Sequence, residues 1–254
     1  QRGGPGLGTI QPSQGDYFQA CKGGGHGDYR LIVLAPASVQ EMHDFVALGF
    51  DLAFKYRNPA MILADGAIGQ MMEKVVLAPQ RPRKTNEEIA AECRDWATYG
   101  KPADRPRNVV TSLELQSEAM EKINLRLQAK YKAMEENEVR YEALACDDAD
   151  YVIVAFGSSA RICSATVEMA RAEGIRLGML RPITLYPFPT RPIAELAARV
   201  KGFLSVELNA GQMVEDVRLA VNGAVPVEHY GRQGGMIYSP DEVLAALKEK
   251  LIKA

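Results

Sequence analysis

The chain opens with a run of glycines of the kind that can hold a phosphate or a nucleotide. Gly4-Pro5-Gly6-Leu7-Gly8 begins like the dinucleotide-binding fingerprint G-x-G-x-x-G, but Thr9 stands where the third glycine should be. That fingerprint needs a preceding strand and a following helix, whose N-terminus receives the pyrophosphate. No strand precedes this run and no helix clearly follows it. A nicotinamide-binding function is therefore poorly supported.

A second candidate phosphate site is Gly157-Ser158-Ser159, where a predicted strand meets a predicted helix. Free backbone N–H groups at a helix N-terminus can hold phosphate. Serine in this place is also an ordinary helix cap, because its hydroxyl accepts a bond from a backbone N–H. We expect these serines to act as caps. The chain contains no Walker lysine, G-x-S-x-G elbow or H-E-x-x-H motif.

The residues that usually bind metals are scattered along the chain. The cysteines are Cys21, Cys93, Cys146 and Cys163, and the histidines are His26, His43 and His229. Zinc sites and iron–sulfur clusters need ligands that converge, and short spacings such as C-x-x-C usually announce them. We therefore expect no metal ion and no iron–sulfur cluster on this chain.

Composition excludes two further classes of function. Over 254 residues the formal net charge is only −2, whereas a nucleic-acid-binding protein usually carries a clustered basic excess. No apolar run approaches the length that spans a bilayer, and no signal segment opens the chain. We expect a cytoplasmic protein that binds neither nucleic acid nor a membrane.

The N-terminal part predicts a parallel sheet. Residues 31–35 and 60–64 read as short buried strands, and the helical spacing of apolar residues from Val39 to Tyr56 predicts a helix between them, capped by Ser38. Two continuous apolar strands joined by a helix form a βαβ unit, which belongs to a parallel sheet covered on both faces.

The middle of the chain has a different composition. Pro79 to Arg107 is rich in proline and basic residues, which favours an inter-domain linker or a surface loop over an anion site. Ser112 to about Cys146 reads as one long helix that connects two domains.

The C-terminal part predicts a second, mainly parallel sheet. Four predicted strands alternate with helices, and a proline-rich bend lies between Pro182 and Pro189. The strands cover residues 151–155, 176–180, 203–207 and 225–230. The predicted organisation is thus an α/β fold with a first domain at 1–78, a linker and connecting helix at 79–147, and a last domain at 148–254.

Several motifs together cover nearly the whole chain. They are Gln1-Arg2-Gly3-Gly4-Pro5-Gly6-Leu7-Gly8, Gln11-Pro12-Ser13-Gln14-Gly15-Asp16-Tyr17, Lys22-Gly23-Gly24-Gly25-His26-Gly27-Asp28-Tyr29, Leu34-Ala35-Pro36-Ala37-Ser38-Val39-Gln40-Glu41-Met42, Lys55-Tyr56-Arg57-Asn58-Pro59, Leu180-Arg181-Pro182-Ile183, Val206-Glu207-Leu208-Asn209 and Gly231-Arg232-Gln233-Gly234-Gly235. This series resembles the α subunits of 2-oxoacid:ferredoxin oxidoreductases. The short Gly-Pro-Gly-Leu-Gly form is most similar to the branch that acts on 2-oxoisovalerate.

The resemblance implies a fold and a chemistry. The first domain would be part of a pyrimidine-binding-type thiamine diphosphate domain, and the last would be a transketolase C-terminal-like domain. The family splits 2-oxo acids with thiamine diphosphate, transfers the acyl group to coenzyme A and passes two electrons through iron–sulfur clusters to ferredoxin. The diphosphate and Mg²⁺ would be shared with or held by a β subunit, and the clusters would lie on partner subunits only. The implied partners are β, γ and ferredoxin-like subunits.

The resemblance also implies site residues. Arg2 matches the arginine that holds the substrate carboxylate, which a planar guanidinium binds in bidentate fashion. The alternative for Arg2 is a surface arginine on a frayed end. Thr9 is the nearest candidate for a threonine that the family carries downstream in this loop, although the loop here is one residue shorter. We assign no catalytic residue to this chain.

His26 and Asp28 lie on the second glycine cluster, which in this family borders the active-site cavity. Glycines allow a backbone to approach a ligand closely. The alternative is a simple turn with an exposed His26. Both interpretations remain open.

Three alternatives to a branched-chain oxidoreductase subunit remain. The chain could be a non-catalytic assembly module, it could serve the same chemistry on pyruvate or 2-oxoglutarate, or it could belong to another thiamine enzyme, against which the glycine motifs argue. The chain opens with Gln1 rather than methionine, so we expect an N-terminally truncated fragment that is inactive alone.

Overall fold

The computed structural model describes residues 1–97, 100–101 and 103–253. Pro102 and residues 98–99 of the predicted linker therefore lie outside the described residues. The chain has two compact units, one made of Gln1–Val76 with Leu127–Ala254 and the other of Leu77–Arg126.

The described residues form the following elements. The strands are β1 (Ile32–Leu34), β2 (Ala60–Ile62), β3 (Tyr141–Leu144), β4 (Tyr151–Val154), β5 (Leu177–Pro182), β6 (Thr184–Tyr186), β7 (Gly202–Glu207) and β8 (Val227–Gly231). The α-helices are α1 (Tyr17–Cys21), α2 (Val39–Tyr56), α3 (Gly66–Gln70), α4 (Asn86–Glu92), α5 (Ser117–Asn137), α6 (Gly157–Ala172), α7 (Thr190–Ala197), α8 (Met213–Val221) and α9 (Pro240–Leu247). A π-helical turn, Lys248–Ile252, follows α9.

The predicted βαβ unit is present. Strands β1 and β2 pair in parallel and α2 joins them. Helix α2 begins where the sequence predicted, because the hydroxyl of Ser38 accepts a bond of 3.1 Å from the N–H of Glu41. It ends at Arg57, which adopts a left-handed conformation with φ 45°.

The first sheet also contains a strand from the C-terminal half of the chain. Its order is β2-β1-β6, and β6 runs antiparallel to β1. The sequence analysis predicted only a proline-rich bend there, and this was wrong for residues 184–186. Prolines flank β6 on both sides, whereas Thr184 and Leu185 are buried within it.

The second sheet is mainly parallel, as predicted, and has the order β3-β5-β4-β7-β8. Strands β5, β4, β7 and β8 are mutually parallel, and β3 is an antiparallel edge strand. The predicted single helix from Ser112 to Cys146 was wrong at both ends, because α5 begins only at Ser117. Helix α5 stops at Asn137, and Tyr141–Leu144 pair with β5 instead of continuing it.

Two hydrophobic clusters cover the two faces of the second sheet. Val152 and Val154 of β4 face one cluster, and Ile153 between them faces the other. The first cluster also contains Ile32 and Val33 of β1, so the two sheets share a core. Continuous apolar strands are typical of sheets buried on both faces.

The unit Leu77–Arg126 is built around α4. The helix begins with a capping box in which Thr85 and Glu88 exchange side-chain-to-backbone bonds. The amide of Asn108 donates to the carbonyls of Arg94 and Ala97 at 2.9 and 3.0 Å, and Cys93 is buried.

In the larger unit, the Lys55-Tyr56-Arg57-Asn58-Pro59 motif has a structural role. Lys55 and the hydroxyl of Tyr56 both donate to Oε1 of Glu138, at 2.5 and 2.7 Å, and Arg140 donates to Oε2 at 3.0 Å. Burial alone would raise the pKa of Glu138, but the three donated bonds outweigh it and hold the pKa below its usual value. Glu138 thus joins the ends of α2 and α5 as a carboxylate.

We expect Glu138→Gln to destabilise the protein by about 2 kcal/mol, because it removes the charge that strengthens these bonds. Chemical denaturation measures the loss. Exposed Glu136→Gln is the matched control and should change the free energy of unfolding by less than about 0.5 kcal/mol. Equal effects of the two substitutions would contradict the role given to Glu138.

Candidate functional site

The opening glycine run folds into a closed loop. Arg2 and Pro12 form an antiparallel bridge at its base. Inside the loop the N–H of Gly3 donates to the carbonyl of Gln11 at 2.9 Å, and the N–H of Thr9 donates to the carbonyl of Gly3 at 2.8 Å. We call residues 2–12 the arginine loop. The next helix of the described chain, α1, begins only at Tyr17.

The side chain of Arg2 lies over the arginine loop. Its Nη1 donates to the carbonyl of Leu7 and, at 3.5 Å, to that of Thr9, while Nη2 lies 3.5 Å from the carbonyl of Gly6. A Cβ at Gly8, whose φ is +52°, would overlap the carbonyl of Gly3 and lie 3.1 Å from Nη1 of Arg2. Glycine at this position therefore lets the guanidinium lie across the loop.

Arg2 remains an exposed cation in this position. In the described part of the chain its hydrogen-bond partners are neutral carbonyls of its own loop and not carboxylates. A guanidinium prefers a carboxylate to a neutral carbonyl, because charge-assisted bonds are about twice as strong. The arrangement can therefore accept a carboxylate from solution.

Thr9 lies beside Arg2 in the arginine loop, but its hydroxyl already donates a hydrogen bond within the protein. Oγ1 of Thr9 donates to the carbonyl of Gly234 at 3.1 Å. A hydroxyl carries one proton, so Thr9 can donate to a ligand only by releasing Gly234.

His26 and Asp28 lie on a different loop, which the ring of Tyr29 closes. The hydroxyl of Tyr29 accepts a bond of 2.7 Å from the N–H of Gly24, and a Cβ at Gly23 would lie 3.0 Å from the tyrosine ring. Both predicted side chains are exposed, and His26 has a left-handed backbone with φ 59°. Neither takes part in the bonds that join Arg2 and Thr9.

A cleft of about 690 Å³ lies next to this second loop, but none of the four predicted site residues lines it. Its charged lining residues include Lys22, whose ammonium pairs with Asp216, and Arg191, which pairs with Glu195. Arg30, a third cation of the lining, donates to the carbonyl of Tyr29 at 2.9 Å. Because Arg2 does not line this cleft, we do not place the substrate carboxylate there.

Sequence reasoning missed the residue that holds the arginine loop in place. Gln14 is fully buried just beyond the loop. Its Nε2 donates to the carbonyl of Phe156 at 2.7 Å, and its Oε1 accepts from the hydroxyl of Ser159 at 2.6 Å and from the N–H of Leu208 at 3.0 Å. Its backbone N–H donates to the carbonyl of Leu208 at 2.9 Å. The loop is therefore fixed to the carboxyl ends of β4 and β7.

Asp65, which follows β2, was also missed. Its Oδ1 accepts bonds of 2.9 and 3.3 Å from the first N–H groups of α3 and a bond of 2.7 Å from the hydroxyl of Ser158. Its Oδ2 accepts a bond of 3.2 Å from the N–H of Ser158. The buried carboxylate thus lies at the N-termini of two helices, where negative charge is favourable.

The predicted capping role of Ser158 and Ser159 was wrong. The N-cap of α6 is Phe156, and neither serine hydroxyl caps the helix. Both are buried within the first turn, where Ser158 donates to Asp65 and Ser159 donates to Gln14. The acceptors of both serine hydroxyls thus come from distant parts of the chain. No motif near these serines in the sequence indicates such partners.

Two known protein families match consecutive parts of the chain. Residues 1–142 match the family described as pyruvate flavodoxin/ferredoxin oxidoreductase, thiamine diphosphate-binding. Residues 149–243 match the pyruvate:ferredoxin oxidoreductase core domain II. The chain belongs to the 2-oxoacid:ferredoxin oxidoreductase family. The family assignment made from the sequence motifs is therefore confirmed, and the other thiamine enzymes are set aside.

Two relatives and one solved structure illustrate the likeness. A ketoisovalerate oxidoreductase subunit of Methanothermobacter thermautotrophicus is 49% identical over 250 residues, which cover 98% of this chain and 68% of the relative. A 2-oxoglutarate synthase subunit of Methanothermobacter marburgensis is 36% identical, over 96% of this chain and 70% of the relative. The 2-oxoglutarate:ferredoxin oxidoreductase of Magnetococcus marinus, solved with 2-oxoglutarate, coenzyme A and succinyl-CoA bound, has a TM-score of 0.79 at 22% identity. It covers 99% of this chain, which spans 47% of that one. The structural match confirms the predicted α/β fold class.

The family implies a thiamine diphosphate–metal site and iron–sulfur clusters, and we tested the donor residues of this oxidoreductase chain for them. Among the described residues no group of three or more His, Cys, Asp or Glu side chains could hold a metal ion. The four cysteines are buried free thiols, and burial raises the pKa of Cys21, Cys146 and Cys163. The described donors fit neither group. No helix in the described parts of the chain has the length and apolar character that crossing a membrane requires.

We expect Gln14→Ala to destabilise the protein by about 3 kcal/mol, because it leaves buried partners at Phe156 and Leu208 without their bonds. Denaturant unfolding measures the loss. The control is Gln70→Ala at the exposed end of α3, with an expected change below about 0.5 kcal/mol. A change that small for Gln14→Ala would show that the amide does not hold the loop.

His229 makes the stability of this oxidoreductase chain depend on pH. Its buried Nε2 has no hydrogen-bond partner among the described residues and lies 4.0 Å from Oε1 of the fully buried Glu207. Burial lowers the pKa of His229, with Lys250 and Arg218 adding to the effect and Glu207 opposing it. A histidine with a lowered pKa binds its proton more weakly folded than unfolded.

The free energy of unfolding should therefore fall as the pH drops below about 6.5, the usual histidine pKa, towards the lowered pKa of the folded state. Melting temperatures measured from pH 7.5 to 5 test this. His229→Gln should flatten the decline in this window, since glutamine does not titrate. An unchanged decline in the variant would assign the pH dependence to other groups.

Proposed function

We propose that this chain is the α-type subunit of a thiamine-diphosphate-dependent 2-oxoacid:ferredoxin oxidoreductase that acts on 2-oxoisovalerate. One 2-oxo acid anion and one coenzyme A thiol give one acyl-CoA, one carbon dioxide and one proton, and two electrons pass to ferredoxin. The observation that carries the proposal is the exposed guanidinium of Arg2 on the arginine loop, which has neutral carbonyl partners. The branched-chain substrate is supported by the 49% identity to a ketoisovalerate oxidoreductase subunit.

Arg2 would hold the substrate by its carboxylate. The guanidinium exchanges its contacts with the carbonyls of Gly6 and Leu7 for two parallel bonds to the carboxylate oxygens. This fixes the bond that breaks on loss of carbon dioxide in one orientation, which is the contribution that binding makes to the rate. The site on this chain is thus a positioning site for the substrate.

The other predicted site residues take supporting places in this proposal. Thr9 lies against the substrate while its hydroxyl holds Gly234. His26 and Asp28, exposed on the second glycine loop, would form part of the cavity wall once the partner subunits are in place. We propose no proton transfer for either residue.

The remaining parts of the enzyme would come from its partners. We propose that a β subunit binds the diphosphate and Mg²⁺, and that γ and ferredoxin-like subunits complete a cytoplasmic complex and carry the iron–sulfur clusters. Within this chain we propose a pyrimidine-binding-type region at 1–78, a connection at 79–147 and a transketolase-like domain at 148–254.

A second candidate substrate is 2-oxoglutarate, which the 36% identity to a 2-oxoglutarate synthase subunit favours. It has a second carboxylate, whereas the exposed side chains at the tip of the arginine loop, Leu7 and Ile10, are apolar. The apolar tip favours an aliphatic substrate.

The test is an anaerobic assay of the assembled enzyme with coenzyme A, a viologen dye, and 2-oxoisovalerate, pyruvate or 2-oxoglutarate. We expect the highest kcat/KM with 2-oxoisovalerate. Arg2→Ala should lower it on the order of 100-fold, the loss expected for two charge-assisted bonds, and Arg2→Lys should recover only part of it. Arg191→Ala, at an arginine that is 89% exposed outside the arginine loop, should change it less than about twofold. Full activity in Arg2→Ala would overturn the carboxylate role.

A further inference from the structure

The arginine loop packs against a turn in the C-terminal part of the chain. We call this turn, residues 231–235, the glycine turn. Thr9 donates its hydroxyl to the carbonyl of Gly234 at 3.1 Å. A Cβ at Gly3 would lie 2.5 Å from Oγ1 of Thr9 and 2.7 Å from the carbonyl carbon of Gly234. A Cβ at Gly235 would overlap Cβ of Gln11 and lie 2.7 Å from Oγ1 of Thr9. The two backbones meet at a distance that only glycine allows.

The glycine turn is itself fixed to the second sheet. Gly231 ends β8, and a Cβ there would lie 2.6 Å from the carbonyl oxygen of Glu207 and 2.9 Å from the ring of His229. Arg232 pairs with Glu242 of α9 at 3.1 Å. Because the turn is packed against the sheet at one end and joined to a helix beside it, it offers the loop a firm support.

The glycine turn contacts the arginine loop away from its fixed base. The base of the loop is fixed by Gln14, whereas its tip is free, since Leu7 and Ile10 are 91% and 80% exposed. Thr9 lies between Leu7 and Ile10, Gln11 follows Ile10, and the guanidinium of Arg2 lies across the carbonyls of Leu7 and Thr9. Contact with Gly234 and Gly235 therefore restrains the part of the loop on which the guanidinium lies.

We infer that the Gly234–Gly235 turn is a positioning element for the substrate-binding arginine. The turn does not touch the substrate, and it acts through Thr9 and Gln11 to hold the arginine loop in the geometry in which Arg2 meets the carboxylate. The inference rests on the proposed function of Arg2. It gives the C-terminal domain a part in substrate binding in addition to assembly.

Two neighbouring glycines provide a matched pair of variants. Both have left-handed backbones, with φ +67° at Gly234 and +94° at Gly235, so alanine is strained at either position. A Cβ at Gly234 would meet no atom within 4 Å, whereas a Cβ at Gly235 would collide with the loop. The difference between Gly235→Ala and Gly234→Ala therefore isolates the contact with the arginine loop.

In the assembled enzyme, Gly235→Ala should lower kcat/KM for 2-oxoisovalerate by on the order of 10-fold relative to Gly234→Ala, mainly by raising KM for the 2-oxo acid. KM for coenzyme A should be the same in both. Without substrate, hydrogen exchange at the N–H groups of Gly3 and Thr9, which are bonded inside the loop, should be faster in Gly235→Ala. Should Gly235→Ala fail to assemble, Thr9→Val should accelerate the same exchange and Thr9→Ser should not.

The outcomes separate this inference from the proposed function. Loss of activity in Arg2→Ala together with identical kinetics and exchange in the two glycine variants would overturn the positioning role alone. Unchanged kinetics in Arg2→Ala would overturn the function of Arg2 and this inference with it. A raised KM for the 2-oxo acid in Arg2→Ala and Gly235→Ala, but not in Gly234→Ala, would establish both.

Discussion

The buried amide of Gln14 is the interaction on which the candidate site depends. An uncharged amide can bridge two strand ends in an apolar interior only if both its oxygen and its nitrogen are satisfied. Gln14 meets that condition with the carbonyl of Phe156, the hydroxyl of Ser159 and the N–H of Leu208. Asp65 adds a charged link of the same kind through Ser158. The N-terminal segment is therefore bonded to the carboxyl ends of β4 and β7. These bonds fix the base of the arginine loop.

This base explains how a flexible sequence can present a precisely placed cation. A loop rich in glycine loses much conformational entropy when it is ordered, so its order must come from contacts made elsewhere. Gln14 supplies these contacts below the loop, and Gly234 meets Thr9 beside it. The guanidinium of Arg2 then closes over the loop carbonyls. A carboxylate bound as proposed would replace these neutral carbonyl partners, and the loop would already be ordered before it binds.

Much of the fold was predictable because its signals are local. The buried runs of β1 and β4 and the cap at Ser38 lie within a few residues of the elements they specify. Strand β3 was not predictable, since all its residues are exposed and only pairing with β5 makes it a strand. The site divides in the same way. Arg2 and Thr9 share one loop, whereas the partners of Gln14, Ser158 and Gly234 come from distant segments that no spacing in the sequence connects. The family motifs include Arg2, Gln14 and Gly234, and the structure shows which atoms of these segments are bonded to other parts of the chain.

We propose that Arg2 binds the substrate carboxylate while the rest of its loop stays fixed. A crystal structure of the assembled enzyme, grown anaerobically with 2-oxoisovalerate, tests it most directly. The account predicts both terminal nitrogens of Arg2 about 2.8 Å from the two carboxylate oxygens, with the bond between Thr9 and Gly234 intact. A substrate carboxylate bound to a different cation, with Arg2 still on the carbonyls of its own loop, would contradict it.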